Sequence, residues 1–196
     1  MKYNKSLERK IVSQNKKIGE VLFLDGLCDV TDPCYDKDTW CALHNVKIMP
    51  GVYSAFIDEV NYPNEYIADS LEDEAMYNVK KGDKFISDDI RIMALTIVHE
   101  EYVPYFLDAE TNEYKLSSNI GVDAGLCGFY NHKPDFKEDD AWYKFVDSLD
   151  KSDNDNVCDC HHGNGVTVSS GFGDGVYKVY KLTYDRKVIG LQLLFN

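Results

Sequence analysis

The alternation of hydrophobic and polar residues is clearest at the C-terminal end of the chain. Apolar residues occupy every second position of residues 189–195, which is the period of a half-buried strand. These residues are Ile189, Leu191, Leu193 and Phe195. Residues 176–184 alternate less strictly, and the glycines around Asp174 allow a tight reversal before them. The pattern predicts an antiparallel β-meander over residues 166–195.

Short apolar segments predict further strands earlier in the chain, and residues 90–98 are apolar at both sets of alternate positions, as in a strand covered on both faces. The predicted strands cover residues 20–24 and 27–30, which form a hairpin signal, and residues 52–60 and 90–98. One segment has helical spacing instead, because Trp142, Phe145, Val146 and Leu149 share one face. We therefore expect one packed amphipathic helix over about residues 138–149, docked on the strand that ends at Phe195.

The N-terminal segment has a different character. Leu7, Ile11 and Ile18 lie at helix-compatible spacing among charged and amide side chains, and Gly19 follows them. This spacing predicts a short basic helix or arm over residues 1–18. The remaining residues, 19–196, suffice for one well-cored domain, whereas two domains would be cramped. The predicted fold class is α+β, dominated by antiparallel sheet.

Net charge narrows the range of functions. The chain contains 21 Lys or Arg and 34 Asp or Glu, a net charge of −13. Residues 1–17 hold six basic residues and one Glu, a net charge of +5, so the remainder carries −18. An acidic surface of this size repels nucleic acid and anionic lipid, which argues against direct nucleic-acid binding. The absence of an apolar run of about 18 residues argues against a membrane span.

The six cysteines bear on the compartment. The basic N-terminus has no apolar signal core behind it, so the cysteines favour a reducing compartment and free or metal-bound thiols. We expect a cytoplasmic protein.

The acidic surface has two interpretations, solubility or the binding of a basic surface on a protein partner. The richest acidic stretches are residues 58–74 and 135–159. Each contains a triplet of candidate binding residues, which are Glu72, Asp73 and Glu74, and Glu138, Asp139 and Asp140. The second interpretation predicts a soluble acidic interaction protein, with a protein partner and no required cofactor.

A cluster of metal-ligating residue types lies at Cys158-Asp-Cys-His-His162. Cys158, Cys160, His161 and His162 supply the thiolates and imidazoles that zinc prefers. Cys34, Cys41 and His44 could complete such a site across the fold. The spacing is tighter than that of common zinc motifs, so a polar loop with incidental Cys and His stands as the alternative.

An enzymatic alternative is a small cysteine- or metal-dependent hydrolase. Cys127 lies in a glycine-rich stretch where a nucleophile would be exposed, with His161, His162 or His99 as the base. Against this, free cysteines are often buried and behave as small hydrophobes. Asp123 and Asp174, each beside glycines, could pair as acid and base or hold a cation, although turn formation explains both more simply. Asp32, before Pro33, is a further turn or site candidate.

Several short motifs occur in a fixed order along the chain. They are Asp32-Pro-Cys-Tyr35, Pro50-Gly-Val-Tyr53, Gly121-Val-Asp-Ala-Gly125 and Ser170-Gly-Phe-Gly-Asp-Gly-Val-Tyr177. In this order, over about residues 20–196, the chain resembles an uncharacterised bacterial and phage-associated family whose members end in a Gly-Asp-Gly-x-Tyr hairpin. The resemblance implies a β-rich α+β domain and brings no established activity. With the acidic charge, its phage association leads us to expect an inhibitor that binds a basic surface of a nucleic-acid-handling defence protein.

Overall fold

The computed structural model describes residues 2–36, 38–108, 112–131, 133–134, 136 and 139–196, except for the side chains of Lys2, Asn4, Asp139 and His162. This part of the chain is mainly β, with short helices. The strands are β1 (Lys2–Ser6), β2 (Lys10–Phe23), β3 (Leu27–Thr31), β4 (Leu43–Lys47), β5 (Gly51–Asn61), β6 (Asn64–Ile67), β7 (Lys84–Ser87), β8 (Ile90–His99), β9 (Glu113–Val122), β10 (Leu126–Tyr130), β11 (Cys158–Asp159), β12 (Gly165–Ser169), β13 (Gly175–Tyr184) and β14 (Lys187–Leu194). The α-helices are α1 (Leu71–Tyr77), α2 (Val103–Leu107) and α3 (Asp139–Ser148). None of these helices has the length and apolar character needed to cross a membrane.

The described strands form three antiparallel sheets. The largest has the order β2-β5-β8-β14-β13-β9, so β2 and β9 are its edges. A five-stranded sheet has the order β11-β12-β10-β3-β4, and β1, β6 and β7 form a small third sheet. The predicted 20–30 hairpin is wrong, because β2 pairs with β5 whereas β3 pairs with β4 and β10. The Asp25–Gly26 turn therefore links two sheets.

The main core lies between the two larger sheets. Its largest side chains come from both of them, and each is essentially inaccessible to solvent. They include Phe23, Tyr53, Leu95, Phe129 and Phe195. Full burial of one such side chain contributes about 1.5–3 kcal/mol relative to exposure, so this layer is the main source of stability.

A second apolar cluster covers the outer face of the six-stranded sheet, where α2 packs. It contains Phe56, Val98, Phe106, Leu182 and Ile189. The place of Ile189 departs from the predicted alternation, because Leu191, Leu193 and Phe195 lie in the main core. The cause is a β-bulge, since the pairing of β13 with β14 shifts between Leu182 and Thr183 and leaves Ile189 without a direct partner.

The predicted N-terminal helix or arm is wrong. Residues 2–6 and 10–23 are strands, and β2 runs without interruption through the predicted boundary at residue 18. Pairing with β5 satisfies the backbone groups that a helix would have satisfied internally. Ile11 is 66% exposed, so the apolar spacing that suggested a helix does not mark a buried helical face.

Helix α3 lies within the predicted range, but its predicted docking surface is wrong. Trp142, Phe145 and Val146 pack against a cluster of Leu126, Leu149 and Val157. Leu126 begins β10 and Val157 immediately precedes β11, both in the five-stranded sheet. The helix therefore packs on that sheet, in a cluster separate from the main core that contains Leu191, Leu193 and Phe195.

Candidate functional site

A groove opens beside Trp40 at one end of β9. Two adjoining hollows of about 390 and 380 Å³ share Trp40, Cys41, Gly121 and Val176 in their walls. The complete lining, which we call the Trp40 groove, is Tyr35, Thr39, Trp40, Cys41, Ser118, Asn119, Ile120, Gly121, Val122, Asp123, Gly175 and Val176. It therefore combines a loop between β3 and β4 with two strands of the six-stranded sheet.

Asp32 anchors the loop that carries Trp40. Its side chain is fully buried, and its Oδ1 accepts a hydrogen bond from the Cys34 N–H at 2.8 Å. Oδ2 accepts hydrogen bonds from the N–H groups of Asp123 and Ala124 at 2.8 and 2.7 Å. Asp32 thus ties the loop to the turn between β9 and β10. With all of these bonds directed at backbone groups, the geometry supports the predicted turn role.

The absence of a side chain at Gly121 lets the loop approach β9 closely. A Cβ atom there would lie 2.8 Å from Cys41 Sγ and 3.1 Å from the Tyr35 hydroxyl oxygen. The Gly121 N–H donates to the Cys41 carbonyl at 2.9 Å. Burial, and then the neighbouring Cys41 and Asp123, raise the pKa of Tyr35, so its hydroxyl stays protonated at neutral pH. The wall of the groove therefore offers a neutral hydroxyl and a thiol.

Four exposed carboxylates flank the lining residues. Asp36 and Asp38 belong to the loop, and Asp123 lies in the groove wall. Asp174 precedes the lining residue Gly175, in a loop that packs beside the turn of Asp123. The two segments are close, because a Cβ atom added to Gly125 would lie 3.9 Å from Gly173 Cα. The structure thus brings the predicted residues Asp32, Asp123 and Asp174 to one end of the sandwich.

The rim of the groove exposes apolar surface among these charges. Trp40 is 93% exposed, and Val176 is 71% exposed. The sequence assigns Trp40 no role, because the exposure of a tryptophan cannot be deduced from its neighbours in the chain. The one available signal was its position next to Asp36 and Asp38.

The first predicted acidic triplet contains a structural residue. Asp73 is 6% exposed, and its Oδ2 accepts hydrogen bonds from the N–H groups of Asp69 and Ser70 in the capping box that begins α1. The hydrogen bond from Asp69 is the main reason that its pKa is well below the usual range. Asp73 therefore serves as a helix-capping residue, and its burial does not favour the predicted role in surface binding. Glu72 is exposed, and Glu74 is half-buried and accepts from the Lys81 N–H.

Little can be placed of the second triplet. Glu138 and the Asp139 side chain lie outside the described residues, and Asp140 is exposed in the first turn of α3. Neither triplet lies among the residues that line the Trp40 groove.

The surroundings of Cys127 argue against its predicted role as a nucleophile. It is fully buried in the main core, and its thiol donates to the Thr31 carbonyl at 3.5 Å. Burial raises the pKa of this thiol well above its ordinary value, which suppresses the reactive thiolate. A small hydrophobic side chain in the core explains Cys127. His99, an alternative base, is also largely buried, with its Nε2 3.3 Å from the Pro50 carbonyl.

His161 belongs to a buried polar chain. Its Nε2 lies 2.6 Å from Thr167 Oγ1, which in turn lies 2.8 Å from the Tyr130 hydroxyl. Its Nδ1 lies 3.7 Å from Asp159 Oδ1. The order Asp, His, Thr resembles a hydrolytic triad, but Thr167 is fully buried, so its hydroxyl is inaccessible to a substrate. This arrangement explains His161 as a structural residue that ties the turn between β11 and β12 to Thr167 of β12.

The cysteines of the predicted zinc cluster are half-buried beside β2. Burial raises the pKa of Cys158 to about 11 and that of Cys160 to about 12. Among the described side chains, no three His, Cys, Asp or Glu residues converge as metal ligands, and the His162 side chain lies outside this set. Zinc at this position stays a prediction.

Cys34, Cys41 and His44, which could have completed this zinc site, have other surroundings in the structure. Cys41 lines the Trp40 groove, and His44 Nδ1 lies 3.3 Å from Asp29 Oδ1. Burial raises the pKa of Cys34 to about 12.

Comparisons of the chain with protein-family models, with curated proteins and with solved structures find no match. The resemblance drawn from the ordered motifs therefore stays a prediction. Any functional assignment rests on the geometry of the site.

Proposed function

We propose that this protein is an acidic binding module that holds a cationic side chain of a partner protein in the Trp40 groove. The observation that carries the proposal is Trp40 itself, 93% exposed beside a hollow of about 390 Å³ and flanked by four exposed aspartates. The face of an indole ring attracts Lys and Arg, and carboxylates near it strengthen the attraction. Aromatic residues with this exposure are frequent binding hot spots.

The overall charge supports the same partner chemistry. A net charge of −13 accelerates the encounter with a basic surface by long-range steering. The proposal moves the contact surface from the two acidic stretches predicted earlier to the rim formed by Asp36, Asp38, Asp123 and Asp174. A defence protein whose basic surface handles nucleic acid is one partner class with this chemistry, in keeping with the phage association of the resembling family.

The test uses a short synthetic peptide with an arginine at one end, followed by alternating valine and threonine, which we call the arginine peptide. Binding is followed by fluorescence anisotropy. We expect Trp40→Ala to weaken binding by roughly 30-fold, because hot-spot truncation costs about 2 kcal/mol. We expect binding of the parent to weaken as salt rises through about 0.15 M, where exposed charges are screened beyond about 8 Å.

A matched pair of variants separates the rim from net charge. One variant replaces Asp36, Asp38, Asp123 and Asp174 by Asn. The control variant also loses four negative charges, at exposed positions that do not line the groove. Its substitutions are Glu72→Gln, Asp140→Asn, Asp147→Asn and Asp153→Asn. The rim variant should lose binding by at least about tenfold, and the control should lose much less. The proposal would be overturned if the rim variant and the control variant lost the same amount of binding. It would also be overturned if the parent protein bound the peptide equally well after the arginine was replaced by glutamate.

A further inference from the structure

We infer that the partner segment adds to the free edge of β9 as an extended strand, with its cation seated in the Trp40 groove. The occupant is therefore an extended segment of a protein with a basic residue at one end. This inference rests on the proposed function for the cation and adds the mode by which the backbone binds. Strand addition supplies affinity through main-chain hydrogen bonds and specificity through pockets for alternate side chains.

Over the described residues, the edge of β9 is open except at Gly121, where the loop that carries Cys41 bonds to it. Among the described strands, β13 is its one neighbour in the sheet. Residues 113–117 of β9 are all exposed. The second hollow of the groove runs along Ser118 to Gly121, so a space already exists beside the backbone.

The pairing of β9 shows which backbone groups face this space. The Gly121 N–H points away from β13, because it bonds to the Cys41 carbonyl in the neighbouring loop. Backbone groups alternate in direction along a strand, so the N–H and C=O of Asn119 point the same way. The pairing of β9 with β13 then shifts between Ser118 and Leu116. Beyond this bulge, the backbone N–H and C=O groups of Leu116 and Tyr114 are the ones that point away from β13. The backbone groups of Asn119, Leu116 and Tyr114 are the template for an added strand, because the Gly121 N–H is already bonded to the loop.

Side chains on the outer face of β9 and β13 offer apolar contacts to such a strand. Leu116 is 54% exposed and pairs with Tyr180, and Tyr114 is 45% exposed. Val176, 71% exposed, pairs with Gly121 on the same face. Exposed apolar residues on an open edge are the condition that natural sheets usually avoid.

The position of the aspartates fixes where the cation lies relative to this template. Asp123 lines the groove at the Gly121 end of β9, and the other three adjoin lining residues in the chain. Leu116 lies five residues from Gly121, a distance of about 17 Å at the rise of a strand. The occupant is thus a segment of about six residues with Arg or Lys at the groove end and apolar side chains at alternate positions.

The experiment uses backbone N-methylation of the arginine peptide. One peptide carries N-methyl groups on one set of alternate residues, and a second carries them on the other set, with identical side chains. In a peptide strand bonded to β9, alternate amides point toward β9 and the others point toward solvent. Methylation of the solvent-facing amides should be tolerated, whereas methylation of the amides that face β9 removes hydrogen bonds. We expect one methylated peptide to bind within about threefold of the parent peptide and the other to lose at least about 30-fold.

A protein variant tests the same contact from the other side. Asn119→Pro removes the outward N–H at an edge position where proline is tolerated, and Asn119→Thr retains it. We expect the proline variant to weaken the arginine peptide by about tenfold relative to the threonine variant. A thermal melt of both variants checks that they are folded, and hydrogen exchange of the parent should show protection of the Asn119 amide when the peptide binds.

The outcomes separate the two proposals. If the peptide binds in a manner that depends on Trp40 and the aspartates, but both methylated peptides bind equally well, strand addition is overturned and the proposed function stands. If no form of the arginine peptide binds, both are overturned. A loss confined to one methylation phase, with protection at Asn119, supports strand addition.

Discussion

The two edge strands of the six-stranded sheet, β2 and β9, differ in how regularly they pair with their neighbours. At β2, three shifts of register interrupt the pairing with β5, whereas the pairing of β9 with β13 shifts once. Bulges and lysines are common means of preventing an edge from pairing with another chain. By this standard β2 is protected, and β9 is comparatively open.

The chemistry of β2 reinforces its protection. Asn15 has a positive φ of 50°, and its N–H donates to Asp58 Oδ1 at 2.8 Å, so this amide is already occupied. Lys16 reaches the buried carboxylate of Glu59, with Nζ 3.1 Å from Oε2, and Ser13 donates to the same oxygen. The bends in β2 thus direct its polar groups back onto β5.

The contrast teaches where the molecule is able to accept a partner. The sheet withdraws backbone groups at one edge and presents them at the other, next to an exposed tryptophan and the exposed carboxylate of Asp123. Both edges expose apolar side chains, for example Ile11 on β2 and Leu116 on β9, so exposure alone does not distinguish them. The distinguishing features are the regularity of the backbone and the groove beside it.

The largest expected effect concerns the anchor that holds the groove open beside β9. Asp32→Ala should lower the free energy of unfolding by about 3–5 kcal/mol, because three backbone N–H groups lose their charged acceptor. Urea unfolding measures the loss. Asp32→Asn, which keeps one acceptor oxygen, should lose less. If the alanine variant unfolds like the parent, the loop position does not depend on Asp32.

A smaller effect should separate the two edges directly. Lys16→Ala on β2 should cost about 1–2 kcal/mol, since Glu59 is 1% exposed and loses its ion-pair partner. Lys115→Ala on β9 should stay within about 0.5 kcal/mol, as for most exposed positions. The cost at Lys16 should largely disappear in a Glu59→Gln background, which a double-mutant cycle in urea would detect. Equal costs at the two lysines would contradict the contrast.

The smallest effect on stability tests the exposed apolar residues. Leu116→Thr on β9 and Val12→Thr on β2 should each change the free energy of unfolding by no more than about 0.5 kcal/mol. Only the change at Leu116 should weaken the arginine peptide, by about three- to tenfold, because a partly exposed apolar contact contributes about 1 kcal/mol. Similar binding by both variants would show that the outer face of β9 takes no part.

Strands were predictable where periodicity reflects burial. The segments at 52–60 and 90–98 are β5 and β8, both interior strands of the large sheet. The alternation at the C-terminus also predicted β14, but it could not locate the bulge that moves Ile189 to the other face. A bulge depends on the register of the partner strand, and this information is not local to the segment.

Long-range choices were the main source of error. The spacing of Leu7, Ile11 and Ile18 fits a helix, and only the availability of β5 makes β2 a strand. Helix α3 has an apolar face that would suit either large sheet, so its partner depends on chain topology. Asp32 and Asp123 could be recognised as turn residues from the sequence. Trp40 becomes a candidate binding residue only in the folded structure, where its loop lies beside β9.

The position of β14 has a consequence for the order in which the sheet is assembled. It is the last of the described strands in the chain, yet it lies between β8 and β13 in the middle of the sheet. During synthesis, β2, β5 and β8 can pair early, while β13 and β9 wait as a separate ribbon. Joining them requires contacts between residues nearly a hundred positions apart, such as Leu193 with Leu95, and distant pairings of this kind form slowly. Until then, β8 and β13 each present a temporary unpaired edge, which is prone to aggregation.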